Sequence, residues 1–340
     1  MKTNYFLERN KNNLKKISKY IDNLPDYVIN FFVGIENYTT PLTRANYAMD
    51  LRIFFDYLSS YKLGKKPGEI TLQDLDKIKS SDLESYLSYL SFYTFEGKNF
   101  NNGEKGKARK LASIRTFFKY FYNKDMLSSN VASKLETPKQ HQKEIIRLEV
   151  DEVAKIINEA ENPNFSSKTQ ASYNKHTSKR DVAILTVFLG TGIRVSELVG
   201  LNVEDVDLKN NAFKITRKGG NQVVLYYSAE VKDALINWLE NREEFHSEDN
   251  ALFLSLQKKR ITTRAVQNIV KKFSLATSPL KKISPHKLRS TYGTNLYRET
   301  QDIYVVADVL GHKDVNTTKK HYAAISEDIR RNAANKVKLR

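Results

Sequence analysis

Apolar residues recur every three or four positions over most of the chain, which predicts a mainly helical protein. In the first half, Tyr27–Ile35 reads as a short apolar helix. After Thr43, the residues Tyr47, Leu51, Phe54, Phe55 and Leu58 form an apolar stripe at helical spacing. Ser80 or Ser81 offers an N-cap to a helix carrying Leu83, Tyr86, Leu87 and Leu90. From about Lys107 to Tyr122, Leu111, Ile114, Phe117, Phe118 and Phe121 share one side of a helix. Its other side is basic, with Lys107, Arg109, Lys110, Arg115 and Lys119. The polar stretch Glu96–Gly106, with three glycines, reads as a loop, and the Asn/Lys-rich lead Met1–Leu24 as a helix or loosely ordered segment.

The pattern breaks at Glu136–Arg147, where a proline sits among polar residues with no strong period; this predicts a linker. Three segments follow: a helical domain over 1–135, the linker 136–147, and a second domain over 148–340 that includes a C-terminal tail. In the second domain Leu148–Ala160 and Arg180–Leu189 read as helices. Phe213–Arg217 and Val223–Tyr227 flank Lys218-Gly219-Gly220-Asn221 and predict a β-hairpin. Several helices complete the chain. The expected fold class is mainly α with a small β-sheet: an all-helical first domain and an α+β second. Two polar stretches, 96–106 and 162–179, read as inserts that either contact a partner protomer or a different DNA sequence, or are inert loops.

Charge narrows the choice of partner. Among 340 residues, 56 Lys and Arg against 39 Asp and Glu give a net charge of +17. Such an excess attracts polyanions, and nucleic acid is the commonest. The basic side of the 107–122 helix, with Arg109, Lys110 and Arg115, is then either a solvated face or a DNA contact. There is no cysteine, which excludes disulfides, thiolate metal sites and thiol nucleophiles, and fits a reducing compartment. No stretch is apolar enough to span a bilayer or to form a signal-peptide core. The expectation is a soluble cytoplasmic protein, on the nucleoid when bound to DNA.

Four short segments carry candidate chemistry, and each also has an ordinary structural reading. In Gly190-Thr191-Gly192-Ile193-Arg194-Val195-Ser196-Glu197, the glycines allow a tight turn that presents Arg194 at a helix start. Arg194 there can grip a phosphate with two hydrogen bonds, or simply pair with Glu197 three residues on. Lys218 on the Gly-Gly turn can reach into a groove or merely solubilise the turn. In Ser284-Pro285-His286-Lys287-Leu288-Arg289, Ser284 and Pro285 read as N-cap and first helical residue. His286 and Arg289 then share one face near free N–H groups, which suits a phosphate or a plain cap. Last, Leu310-Gly311-His312 precedes His321-Tyr322, with Tyr322 ten residues past His312 among 19 tyrosines in all.

Taken together and in this order, the segments resemble the tyrosine recombinase (phage integrase) family. Each motif alone is weak; the ordered set of Arg194, Lys218, His286-x-x-Arg289, Leu310-Gly311-His312 and Tyr322 is specific. The first half also resembles the family's core-binding domain, including Lys110-Leu111-Ala112-Ser113-Ile114-Arg115-Thr116-Phe117-Phe118. The chain looks most like the Xer branch or a short mobile-element integrase. The resemblance implies a two-domain DNA clamp and a site-specific recombinase with Tyr322 as nucleophile. It implies that Arg194 and Arg289 bind the non-bridging oxygens, Lys218 protonates the leaving 5′ oxygen, His286 assists at the phenol and His312 bonds the phosphate. Glu197 has a supporting role. No cofactor and no metal is expected, because a phosphotyrosine conserves the energy of the broken bond. The implied partners are double-stranded DNA, three further copies in a homotetramer on two DNA sites, and an accessory DNA-bending or excision protein. Two other readings share these residues: a type IB topoisomerase-like enzyme, and a DNA-binding regulator that does not cut.

Overall fold

Aromatic rings hold the first half of the chain together. In the computed structural model, residues 5–139, 148–163, 168–217, 220–312 and 314–316 are described. Contacts divide the chain into two units, Met1–Lys143 and Glu144–Arg340. The first unit contains α1 (Tyr5–Ile21), α2 (Asp26–Gly34), α3 (Pro41–Leu58), α4 (Leu72–Asp76), α5 (Ser80–Tyr89) and α6 (Glu104–Tyr122). The stripes of α2, α3 and α6 meet: Phe31, Phe54, Phe55, Phe117, Phe118 and Phe121 are fully buried. Phe31 and Phe117 pack edge to face at 5.1 Å, and Phe55 and Phe117 at 5.9 Å. Each such pair contributes about 0.5–1.5 kcal/mol beyond its area. Thr40 starts α3 by accepting a hydrogen bond from the Thr43 amide at 3.2 Å, with Pro41 in the first helical position.

The first unit is not wholly helical. Strands β1 (Tyr93–Phe95) and β2 (Lys98–Phe100) pair antiparallel, Tyr93 opposite Phe100. The stretch expected as a loop from Glu96 thus begins as a hairpin, with Glu96-Gly97 as its two-residue turn. Only three residues form each strand, too few for an alternating pattern to register; the stacked rings of Tyr93 and Phe100, 5.4 Å apart, hold it.

Charged groups tie the same helices. Asp50 on α3 is fully buried and meets three groups of α6: Ser113 Oγ at 2.7 Å, Arg109 Nη1 at 2.5 Å and Lys110 Nζ at 3.2 Å. At the start of α4, Asp74 accepts from the Thr71 amide at 3.0 Å and from Lys65 Nζ at 2.7 Å. The Lys65 ammonium, then the Thr71 bonds, pull the Asp74 carboxyl down to about 2. Because the folded state binds this proton less tightly than the unfolded chain, Asp74 adds stability above its ordinary range near ~3.9, and that stability is lost as pH falls through about 2. Acid titration of Asp74→Asn should therefore show a flatter loss of stability between about pH 4 and 2 than the parent; identical curves would refute the assignment.

The second unit opens with α7 (Val150–Glu161) and α8 (Lys168–Thr191), then α9 (Val195–Gly200). A three-stranded antiparallel sheet follows, ordered β3 (Val206–Asp207), β4 (Ala212–Thr216), β5 (Gln222–Tyr226). Helices α10 (Ala229–Glu243), α11 (Thr263–Thr277), α12 (Pro285–Thr300) and α13 (Ile303–Leu310) complete the described chain. Trp238 of α10 is fully buried and donates Nε1–H to the Leu252 carbonyl at 2.8 Å. Helix α8 starts twelve residues before the expected Arg180, inside the polar stretch 162–179. Arg180 itself is buried by pairing: it donates to Asp181 Oδ1 at 2.7 and 2.9 Å and to the Leu254 carbonyl at 2.9 Å. The apolar period stops at Arg180 while the helix does not. No described helix is long and apolar enough to cross a membrane.

Candidate active site

The C-terminal end of α13 is where the candidate residues meet. Gly311 closes this helix in the left-handed conformation, φ 61°. Its amide donates to the Asp308 carbonyl at 2.8 Å, and the His312 amide to the Ala307 carbonyl at 2.9 Å. The next three carbonyls each receive a different arginine. Val309 O accepts from Arg217 Nη2 at 2.9 Å, Leu310 O accepts from Arg289 Nη2, and Gly311 O accepts from Arg194 Nη2 at 3.0 Å. These arginines come from the end of β4, from α12 and from the turn between α8 and α9. A helix C-terminus carries about half a negative charge, so it draws cations and lends each about 0.3–1 kcal/mol. Three guanidiniums gathered there make a concentrated positive site beside His312.

The α8–α9 turn is built for this meeting. Gly192 has φ 61°, and a Cβ on it would lie 2.5 Å from the Tyr292 ring and 2.9 Å from Leu310 Cδ2. Its carbonyl accepts a second bond from Arg289, through Nη1. Arg194 then caps α9: its amide donates to Glu197 Oε2 and its Nη1 to Glu197 Oε1, both at 2.9 Å. Glu197 is buried, while the Arg194 side chain is about a third exposed. The expected Arg194–Glu197 pairing and the phosphate-facing role are therefore compatible, since two of the five N–H donors of Arg194 stay inside the chain.

On α12, Ser284 occupies the N-cap in extended backbone and Pro285 the first position. The Ser284 side chain accepts no capping bond; its carbonyl takes the Lys287 and Leu288 amides at 2.8 and 3.0 Å. His286 is exposed on the first turn, and Arg289, one turn on, is 6% exposed. Tyr292, packed on Gly192, has its phenol pushed up by burial. Lys218 and Tyr322 lie outside the described residues. The structure thus joins Arg194, Arg289 and the Gly311-His312 backbone directly, places His286 on the Arg289 helix, and adds Arg217, which the sequence reading passed over. The only signal for Arg217 was its place beside Lys218 at a strand end.

In the first unit, the three basic candidates differ in placement. Arg109 keeps 47% of its side chain exposed, with one amino group on Asp50. Lys110 is buried on Asp50. Arg115 donates to Thr137 Oγ1 at 2.8 Å and to the carbonyls of Ala132 and Leu135, fastening the segment that follows α6.

Comparison with known proteins decides the family. The phage integrase family matches residues 147–328, the region that holds the arginine cluster. The chain belongs to that family. It is 34% identical, over 97% of its own length and 90% of the relative's, to a tyrosine recombinase XerC of Caldanaerobacter subterraneus subsp. tengcongensis. A tyrosine recombinase XerC of Leptospira interrogans serovar copenhageni is 28% identical, over 89% of each chain. Among solved structures, the fold is similar to XerH site-specific recombinase bound to a palindromic difH substrate, with a TM-score of 0.65 at 20% identity, covering 83% of this chain and 76% of that one. This tyrosine recombinase is therefore an enzyme of site-specific DNA recombination, cutting and rejoining strands. In the recombinase, the three arginines gathered at the end of α13 all lie within the matched region.

Proposed function

We propose that this recombinase cleaves DNA by attack of Tyr322 on a phosphodiester held by Arg194 and Arg289, leaving a 3′-phosphotyrosine. The reading rests on one observation: both arginines are anchored to consecutive carbonyls, Leu310 and Gly311, next to His312. Guanidiniums fixed in this way need no reorganisation when charge develops on the non-bridging oxygens, which is the largest single source of rate in such sites. In the step, the Tyr322 oxygen bonds to phosphorus and the bond to the 5′ oxygen breaks. The phenol proton passes toward His286, and Lys218 gives a proton to the departing oxygen. An unassisted phenol, with a pKa near ~10, is a poor nucleophile, so neighbouring cations are required. The reverse attack by a 5′ hydroxyl of a second duplex restores the backbone without ATP or metal.

The partner on this reading is double-stranded DNA, met in the cytoplasm. Exchange of both strands between two duplexes needs four cleavages, so four copies on two sites would assemble. Arg109 is the first-unit candidate for a backbone phosphate, while Lys110 and Arg115 hold α6 in place. The test uses a duplex nicked just downstream of the scissile phosphate, so the leaving strand diffuses away. A covalent protein–DNA adduct should form and be absent in Tyr322→Phe; an adduct that persists in Tyr322→Phe refutes the nucleophile.

A further inference from the structure

The contact that the expected site does not account for is Arg217. It follows the last residue of β4, one step before Lys218. The hairpin stem around it is regular: Thr216 pairs with Gln222, and the Arg217 amide donates to the Asn221 carbonyl at 2.8 Å. From that stem the guanidinium crosses to the end of α13. Nη2 meets the Val309 carbonyl at 2.9 Å, and Nη1 lies 3.5 Å from the Asp308 carbonyl. The approach is close enough that a Cβ on Gly311 would collide with the Arg217 guanidinium. Arg217 therefore packs over the same glycine whose carbonyl carries Arg194. One helix end holds the arginines of the proposed phosphate site and, through Arg217, the stem of the hairpin.

We propose that Arg217 is a positioning residue for strand cleavage: by binding the Val309 and Asp308 carbonyls it fastens the β4–β5 stem to the helix end that carries Arg194 and Arg289. The chain that continues into Lys218 then leaves from a point fixed relative to the phosphate. This rests on the reading of Lys218 as the acid that protonates the 5′ oxygen. The bond that breaks is phosphorus to 5′ oxygen, and the proton that Lys218 loses ends on that oxygen. Misplacing an acid by about 1 Å costs on the order of 10²-fold in rate.

A 5′-bridging phosphorothiolate separates this role from general damage, because sulfur leaves as a thiolate without a proton. Single-turnover cleavage should be measured with both substrates for Arg217→Ala, Arg217→Gln and Lys218→Ala. On the ordinary phosphodiester, Arg217→Ala and Arg217→Gln should cleave on the order of 10–10²-fold slower than the parent, and Lys218→Ala slower still. On the phosphorothiolate, all three should return to within a few-fold of the parent. A loss of fold or of DNA binding would slow both substrates alike, and the Gln variant, which keeps a polar side chain of intermediate bulk but is too short to reach the Val309 carbonyl, guards against simple misfolding. If Lys218→Ala is rescued while both Arg217 variants stay slow, or if the Arg217 variants cleave the phosphodiester normally, the inference fails and the acid role stands. If Lys218→Ala is not rescued, the acid role itself fails and the inference falls with it.

Discussion

Arg289→Ala is expected to slow single-turnover DNA cleavage by roughly 10²–10³-fold while leaving DNA affinity within a few-fold of the parent. The rate loss follows from the position of the side chain. The residue is 6% exposed and its guanidinium spans two carbonyls, Gly192 O and Leu310 O, so it is fixed before any phosphate arrives. Removing one donor of this kind typically costs about 2.7–4 kcal/mol of transition-state stabilisation. Affinity behaves differently, because it is spread over many phosphate contacts by a chain of net charge +17. The same substitution also leaves two carbonyls without this partner, at about 1–3 kcal/mol for each that stays dry, so the second unit should melt earlier. Arg289→Lys separates the two effects. It restores the charge but cannot span both carbonyls, so it should recover part of the rate while the earlier melting persists. Filter binding and single-turnover cleavage on one substrate read both quantities; a collapse of binding with normal cleavage per bound complex would contradict the assignment.

The second large effect is expected at a residue without a side chain. Gly192→Ala should lower the stability of the second unit by about 2–5 kcal/mol and abolish most cleavage by what remains folded. The left-handed backbone, φ 61°, alone costs an L-residue about 1–2 kcal/mol. The new methyl would stand 2.5 Å from the Tyr292 ring and 2.9 Å from Leu310, and such overpacking adds about 1–3 kcal/mol. Relief can come only by moving Tyr292 or Leu310. Moving Leu310 displaces the carbonyl that Arg289 holds, so the damage passes from packing to chemistry. Thermal unfolding read by circular dichroism, with cleavage normalised to folded protein, measures both parts. Parent-like melting would show that the turn tolerates a side chain and that the packing described is wrong.

Much of this was legible from residue types, and the rest was hidden for identifiable reasons. The helical stripes of α2, α3 and α6 and the β4–β5 hairpin followed from spacing, because burial of one face imposes it. Ser284-Pro285 and Gly311 marked the ends of α12 and α13 correctly. The hub of the site was not legible, because its acceptors are the carbonyls of Val309, Leu310 and Gly311, and every residue has a carbonyl. That is also why Arg217 was missed: its partner has no signature in sequence. Lys110 was misread for a different reason. It lies four residues before Ile114 and seven before Phe117, on the apolar stripe, while Asp50 lies four before Phe54 on the stripe of α3. A lysine and an aspartate at facing core positions signal a buried pair, and reading Lys110 with the basic side overlooked its phase. The extension of α8 before Arg180 was hidden because its residues there are polar and carry no apolar period.

In the proposed mechanism Arg194 and Arg289 act on the negative charge of one phosphate, and a DNA without that charge tests it directly. A duplex with a methylphosphonate at the scissile position presents a neutral reacting centre of nearly the same shape. Cleavage of this duplex by Arg289→Ala and by Arg194→Ala should match the parent to within about tenfold, although both variants lag by roughly 10²–10³-fold on the natural phosphate. A penalty that stays as large on the neutral substrate would mean that these arginines do not serve the phosphate, and the site at the end of α13 would have to be abandoned.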